Sequence, residues 1–326
     1  MSDYDGAMRA LHINGYGEPP AFVEDAPEPQ PQAGDALVQV TAAPLNPVDV
    51  AVASGGHFLG PPPLPYVPGM EGVGRVLRGE RLAEGQLVRF ETRIQQGSFA
   101  ELTVVAEETA WPFETTLDDA VAACFGIAGL AAWMALVWRG RLSSDDAVLI
   151  LGASGVVGAL AVQIARLHGA RRVVAAGRAS AGLDRAGELG ADAVVALDRA
   201  DDPEQALRDA LEGGADLVLD PLWGEPAVHA LAAANRYGRL VQIGQSAGAS
   251  ATLASAVVRG KCLELLGYNN FAAPEQAKRE AFATMLRHAE QGELAIEPQR
   301  FPLADGPAAW ARLAAGESGA KLVLLP

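Results

Sequence analysis

Between residues 149 and 169 the chain reads LILGASGVVGALAVQIARLHG. A short apolar strand ends at Leu151, small residues follow, and a helix begins near Gly155. Ala153, Gly155 and Gly158 fall on the spacing G-x-G-x-x-G, with alanine at the first position. Gly155 would let a pyrophosphate approach the backbone, and Gly158 would let the helix sit close on the strand. Gly152, Ala153, Ser154, Gly155, Val156, Val157 and Gly158 are therefore expected to hold phosphates with backbone N–H groups at the positive end of a helix dipole. A plain glycine-rich strand–helix turn is the alternative. About 20 residues beyond the glycines, a site for NAD places an acid on the ribose hydroxyls. Here that place reads Ala175-Ala176-Gly177-Arg178. Arginine can pair with a 2′-phosphate through its planar fork. Gly177 and Arg178 thus point to NADPH, against the reading of a surface arginine.

Other polar residues stand where a ligand could meet them. Gly244, Gln245 and Ser246 close the strand RLVQIG, at the carboxyl edge where ligands bind in such sheets. Tyr268, Asn269 and Asn270 follow the next strand and would complete a substrate pocket, if they are not simply a polar loop. His57 lies in the proline-dense loop GGHFLGPPPLPYVPG and could line the same pocket. Asn46 precedes Pro47 and admits two readings, an orienting polar group beside nicotinamide or substrate and a turn asparagine.

The elements that would position these residues fall into two regions. From MRALHI to about residue 115, short β-type runs such as ALVQVTAA, GVGRVL, QLVRF and FAELTVV alternate with turns, an irregular antiparallel barrel. From about Leu117 the pattern changes to LDDAVAACFGIAGLAAWMALVWRG, with helical apolar spacing. Strand and helix then alternate, which implies parallel strands with right-handed crossovers. The predicted domains are 1–117, completed by about 292–326, and a doubly wound domain at 118–291. KCLELLGY is the last strand of that sheet, a helix spans 275–291, and GAKLVLLP returns to the first domain.

Composition narrows the function. A net charge of -15 argues against a phosphate-backbone surface, so no nucleic-acid partner is expected. The opening MSDYDGA lacks the basic-then-apolar order of a leader, and the apolar runs are broken short of a membrane span. These features predict a cytoplasmic protein. The two cysteines, Cys124 and Cys262, lie in apolar contexts and read as two buried free thiols.

Taken in order along the chain, PLNPVDV, PYVPGMEGVGRV, GSFAELTVV, GIAGLAAWMAL and GAKLVLLP resemble segments of the zinc-free quinone-oxidoreductase branch of the medium-chain dehydrogenase/reductases, the zeta-crystallin-like enzymes. The likeness covers nearly the whole chain. It implies an α/β fold in which a Rossmann sheet accompanies a GroES-like β-barrel domain, and it places Asn46 by the nicotinamide. Zinc-dependent relatives carry a cysteine near Asn46 and a histidine near Met70. Neither is present, and Cys124, Cys262 and the scattered histidines match no usual zinc spacing. No metal is expected. Three positions depart from the resembled pattern: Ala51 and Leu197 replace tyrosines, and Ala131 replaces a threonine whose hydroxyl would meet the carboxamide.

The resemblance implies a zinc-independent oxidoreductase that passes hydride from NADPH to a quinone or small α,β-unsaturated carbonyl. Without zinc nothing stabilises a developing alkoxide, whereas a conjugated electrophile spreads its charge. An enoyl-thioester reductase and a non-catalytic NADPH-binding sensor are the alternatives. Leu263, Leu265 and Leu266 on the expected edge strand predict a homodimer through residues 263–268.

Overall fold

A computed structural model describes residues 6–56, 60–317 and 319–326. It divides into two compact units, Met1–Ile127 with Ile296–Pro326, and Ala128–Ala295.

The first unit begins with β1 (Ala7–His12) and β2 (Ala21–Pro27), an antiparallel pair. β3 (Asp35–Pro44), β4 (Glu71–Arg78), β5 (Leu87–Glu91), β6 (Leu102–Ala106) and β7 (Trp111–Pro112) follow. β3 pairs antiparallel with both β4 and β6. Most of its residues are buried, and Gln39 and Thr41 are the two that are partly exposed. α1 (Pro47–Ala53) interrupts the β pattern. VDVAVA looks strand-like because it alternates β-branched residues, but proline at the first helical position and Asn46 before it start a helix. Asn46 is therefore a helix cap, not a bare turn.

The stretch after residue 117 is a broken helix. α2 (Asp119–Ala123) is capped by Asp118, whose Oδ1 accepts the Ala120 N–H at 3.0 Å. A turn at 124–126 precedes α3 (Ile127–Trp133), which runs into a π-helical turn at Met134–Arg139. Apolar spacing carries across such breaks, which is why the sequence reads as one helix. α2 packs its buried Ala120, Ala123 and Cys124 against Ala42, Val73 and Val323. The first unit consequently extends to Ile127, ten residues beyond the expected 117.

The second unit holds one parallel sheet. Its strands are β8 (Ala147–Leu151), β9 (Arg172–Gly177), β10 (Ala193–Ala196), β11 (Ala215–Asp220), β12 (Ala234–Gln242) and β13 (Glu264–Gly267). They lie in the order β10-β9-β8-β11-β12-β13, a doubly wound Rossmann order with its reversal beside β8. The intervening helices are α4 (Val156–Leu167), α5 (Ala181–Glu188), α6 (Pro203–Leu211), α7 (Gly224–Ala233) and α8 (Ser255–Lys261). α9 (Glu275–Glu290) follows the last strand. Cys124 is buried as expected, but Cys262 is exposed. It ends α8 in the left-handed conformation with φ 53°, which turns it outward.

The chain then re-enters the first unit through β14 (Gln299–Pro302), α10 (Gly306–Ala314) and β15 (Leu322–Leu325). β15 pairs antiparallel with the end of β3, Val323 opposite Pro44 and Leu324 opposite Ala43. That register sets Lys321 beside the segment leading into α1. The core of this unit is a cluster including Val38, Val76, Phe90, Phe99 and Trp310.

Candidate functional site

In the second unit the turn after β8 is built from backbone. Gly152 takes φ +62°, a conformation costly to any residue with a Cβ. The Ala153 N–H donates to Ala176 O at 3.1 Å and the Gly155 N–H to Gly152 O at 3.0 Å. Gly155 caps α4 without any side-chain bond. The N–H groups of Val156, Val157 and Gly158, in the first turn of α4, can therefore face an anion. A Cβ on Gly158 would lie 2.5 Å from Gly152 O and 2.6 Å from Ala153 Cα, so glycine is what lets helix and strand meet. A Cβ on Gly155 would meet only Gly152 O at 3.5 Å. Packing alone does not demand glycine there.

Gly177 ends β9 beside Ser154, and Arg178 follows it exposed, without an ion pair among the described residues. An acid does stand nearby: Asp198 Oδ1 accepts the Ala179 N–H at 2.8 Å. Leu197 donates its N–H to Gly177 O, also at 2.8 Å. At the carboxyl edge, Gly244 packs on Pro221, where a Cβ would lie 2.7 Å from the Pro221 carbonyl oxygen. Ser246 Oγ donates to that same carbonyl at 3.2 Å, while Gln245 is exposed. Asp220 ends β11 fully buried, its Oδ1 accepting the N–H groups of Leu222 and Trp223. Burial raises its pKa above the ordinary aspartate value. Tyr268 Oη donates to Asn270 Oδ1 at 2.5 Å, Asn270 is buried, and Asn269 caps a short 3₁₀ turn. His57 lies outside the described residues.

In the first unit the polar centre is made of side chains. Asn46, 1% exposed, donates one amide hydrogen to Pro44 O at 3.1 Å and the other to Glu71 Oε1 at 3.0 Å. Its Oδ1 accepts from Lys321 Nζ at 2.5 Å, and Lys321 also donates to Leu45 O at 2.9 Å. Glu71 Oε2 accepts from Arg89 Nη2 at 3.2 Å and from the Ile127 N–H at 2.6 Å. Arg89 donates from Nη1 to Glu91 at 2.9 Å, with its guanidinium 4.4 Å from the Trp111 ring centre. Any side chain at Gly126 would overlap Glu71 Oε2, which accounts for that glycine. Asp49, third residue of α1, accepts the Asn46 N–H on Oδ2 at 2.7 Å and the Met70 N–H on Oδ1 at 2.9 Å.

Asp49, Glu71, Arg89 and Lys321 are all buried, two acids against two bases. Burial pushes the Asp49 carboxyl up to about 7, although its two backbone N–H donors and Lys321 draw it down. Burial likewise lowers Lys321, against the pull of Glu71, Cys124 and Asp49. The Cys124 thiol is driven up to about 12 by burial and is chemically inert.

Sequence reasoning named Asn46 and missed the partners that hold it. Both amide hydrogens are already committed, so Asn46 cannot donate to a ligand in this arrangement. Glu71 and Lys321 instead fix the orientation of its side chain. An acid three residues after a capping asparagine was a legible signal for Asp49. Arg89 in LVRFE and Lys321 before LVLL are lone charges in apolar strands, and only the register reveals their partners. Ala51 is exposed on α1 and Ala131 half-buried on α3.

Two family descriptions match the chain: "Alcohol dehydrogenase GroES-like domain" over residues 32–115 and "Zinc-binding dehydrogenase" over residues 156–289. A quinone oxidoreductase of Rattus norvegicus is 29% identical, over 73% of each chain. One component of the phenolphthiocerol/phthiocerol polyketide synthase of Mycobacterium tuberculosis is 30% identical over 99% of this chain. The chain spans only 15% of that much longer protein. A crystal structure described as an NAD-dependent alcohol dehydrogenase superposes with a TM-score of 0.86 at 28% identity, covering 98% of this chain and all of that one.

The residues here do not fit the zinc of the second description. Asn46 and Met70 offer an amide and a thioether in place of thiolate and imidazole. Asp49 and Glu71 already accept N–H groups and face two buried cations. Among the described residues no group of three or more His, Cys, Asp or Glu is arranged to hold a metal ion. No described helix is long and apolar enough to cross a membrane.

Proposed function

The chain is an oxidoreductase of the medium-chain dehydrogenase/reductase superfamily, in its quinone oxidoreductase branch, and we propose that it reduces a quinone or small α,β-unsaturated carbonyl with NADPH, without zinc, in the cytoplasm. The observation that carries this reading is the turn after β8, together with arginine in place of an acid after β9. The first-turn N–H groups of α4 are suited to the pyrophosphate. Arg178, with no competing ion pair among the described residues, is suited to a 2′-phosphate. Asp198 could serve ribose hydroxyls instead, but its Oδ1 is committed to Ala179. NADPH when bound supplies a hydride to an electron-poor carbon. In this reading the substrate-side unit contributes orientation, and an electrophile that delocalises charge fits because it needs no Lewis acid to hold an alkoxide. Asn46 holds α1 against β4 and β15 and moves no proton.

A second reading, reduction of an enoyl thioester, is favoured by the likeness along 99% of this chain to part of a polyketide synthase. NADPH-consumption assays on a quinone, a small enone and a crotonyl thioester separate the two. Turnover of the thioester alone would replace the first reading with the second. Absence of turnover on all three would leave neither.

The edge strand β13 supports a homodimer. Leu263 packs on the core of its own unit, but Leu265 is 38% exposed on the outer strand. Pairing two copies about a two-fold axis would close that edge. Leu265→Lys should shift the protein to monomer in light scattering; a wild-type monomer at micromolar concentration contradicts the dimer.

A further inference from the structure

The proposed reaction leaves two buried titratable groups of the first unit unused, Asp49 and Lys321. Lys321 stands just before β15, buried at 4% exposure, its ammonium bonded to Asn46 Oδ1 and Leu45 O. Asp49 stands on α1 and ties the Asn46 N–H to the Met70 N–H, which joins the start of α1 to the residue preceding β4. Asn46 is common to both groups, through its side chain toward Lys321 and its backbone toward Asp49. Glu71, next to Met70, completes the ring by accepting the Asn46 amide.

We propose that Lys321 is a positioning residue for the substrate-side unit: its ammonium keeps Asp49 ionised and the Asn46 amide in one orientation, and so sets the pH range in which α1 and β4 hold their working arrangement. The consequence for turnover rests on the hydride-transfer reading above; the charge coupling itself does not.

Acceptor count is what ties the charge of Asp49 to the geometry. An ionised Asp49 offers an oxygen to each of two backbone N–H groups. A protonated one converts an acceptor oxygen to an O–H donor, and one of the two N–H groups loses its partner. The loosened link lies between Asn46, one end of the Asn46–Glu71 bond, and Met70, the residue preceding the other end. Asp49 faces Lys321 just before β15, Glu71 from β4 and the Tyr66 hydroxyl, whose own pKa burial raises to about 12, so that it stays neutral. Lys321 faces Asp49, Glu71 and Cys124, and Cys124 also stays neutral. Arg89 is paired with Glu71 and Glu91. Lys321 is therefore the cation that opposes Asp49 protonation. With burial placing Asp49 at about 7, protonation sets in as the pH falls through neutrality. Removing the ammonium moves that change to higher pH.

The test is carboxyl 13C NMR of aspartate-labelled full-length protein, with the Asp49 signal assigned by its loss in Asp49→Asn. In the wild type the signal should titrate near neutrality. In Lys321→Met the midpoint should rise measurably, because the buried ammonium favours the ionised carboxyl. Lys321→Arg should restore it. With 1,4-naphthoquinone and NADPH, the acid limb of kcat should move by the same amount, while thermal unfolding reports folding separately. A wild-type Asp49 that titrates near 4 overturns the proposal even if Lys321→Met does not fold. An unmoved midpoint in a folded Lys321→Met does the same. Wild-type protein that ignores the quinone sinks the hydride reading, and the NMR titration still decides the coupling.

Discussion

The two candidate sites are built from opposite materials. In the second unit the site is backbone: three N–H groups at the start of α4, with glycines that make room and one exposed arginine. In the first unit it is side chain: two acids, two bases and an amide, all buried and mutually bonded. A backbone site costs little to keep empty, because water can satisfy its N–H groups. A buried charged cluster has no such freedom, because each member depends on its partners for solvation. The first is suited to accept a charged ligand, and the second to keep a fixed shape.

That contrast is sharpest in the loss of one group. Glu71→Gln leaves Arg89 and Lys321 buried against Asp49 and the half-buried Glu91, and removes an acceptor from Asn46 or Ile127. Breaking a buried pair on one side costs about 3–5 kcal/mol, so denaturant unfolding should show a loss of that size. A change below about 1 kcal/mol would mean the cluster is hydrated and the contrast false. In the second unit the corresponding damage is steric. Gly158→Ala forces α4 away from β8 and should destabilise the protein by about 1–3 kcal/mol. Gly155→Ala meets only ordinary contact and should leave unfolding unchanged while weakening NADPH binding. If both alanines act alike, the division between packing glycine and ligand glycine fails.

How far these sites could be read beforehand follows from the same difference. The backbone site is local, since residues 152–158 carry its whole signature. The β8 turn, the Rossmann alternation and the arginine after β9 were all legible for that reason. The side-chain site draws on positions 46, 49, 71, 89 and 321, which only β3–β4, β4–β5 and β3–β15 pairing brings together. Asn46 could be singled out from its segment, but its committed amide could not, because Lys321 lies 275 positions away. Helix α1 was hidden by its β-branched residues. The break in α2–α3 was hidden because Gly126 answers to Glu71, a distant side chain. Cys262 was misplaced because a left-handed helix end leaves no mark in apolar composition.

A smaller effect probes the ligand side alone. Arg178→Ala should lose about 1.5–3 kcal/mol of NADPH affinity, the worth of a charged hydrogen bond, and none of NADH affinity. Calorimetric titration with both cofactors reads this directly. Stability should stay within about 0.5 kcal/mol, as for an exposed side chain without an ion pair among the described residues. Equal loss for both cofactors, or tighter binding of NADH by the wild type, would move the ribose contact to Asp198.

The proposed activity is hydride transfer from NADPH to a conjugated electrophile without a metal. It is tested most directly with NADPH deuterated at the transferred position, a small enone and excess chelator, with the product analysed by mass spectrometry. The expected result is one deuterium on the β-carbon of the saturated product, formed faster with NADPH than with NADH and at a rate indifferent to the chelator. A product without deuterium, no product, or turnover abolished by the chelator and restored by zinc would contradict it.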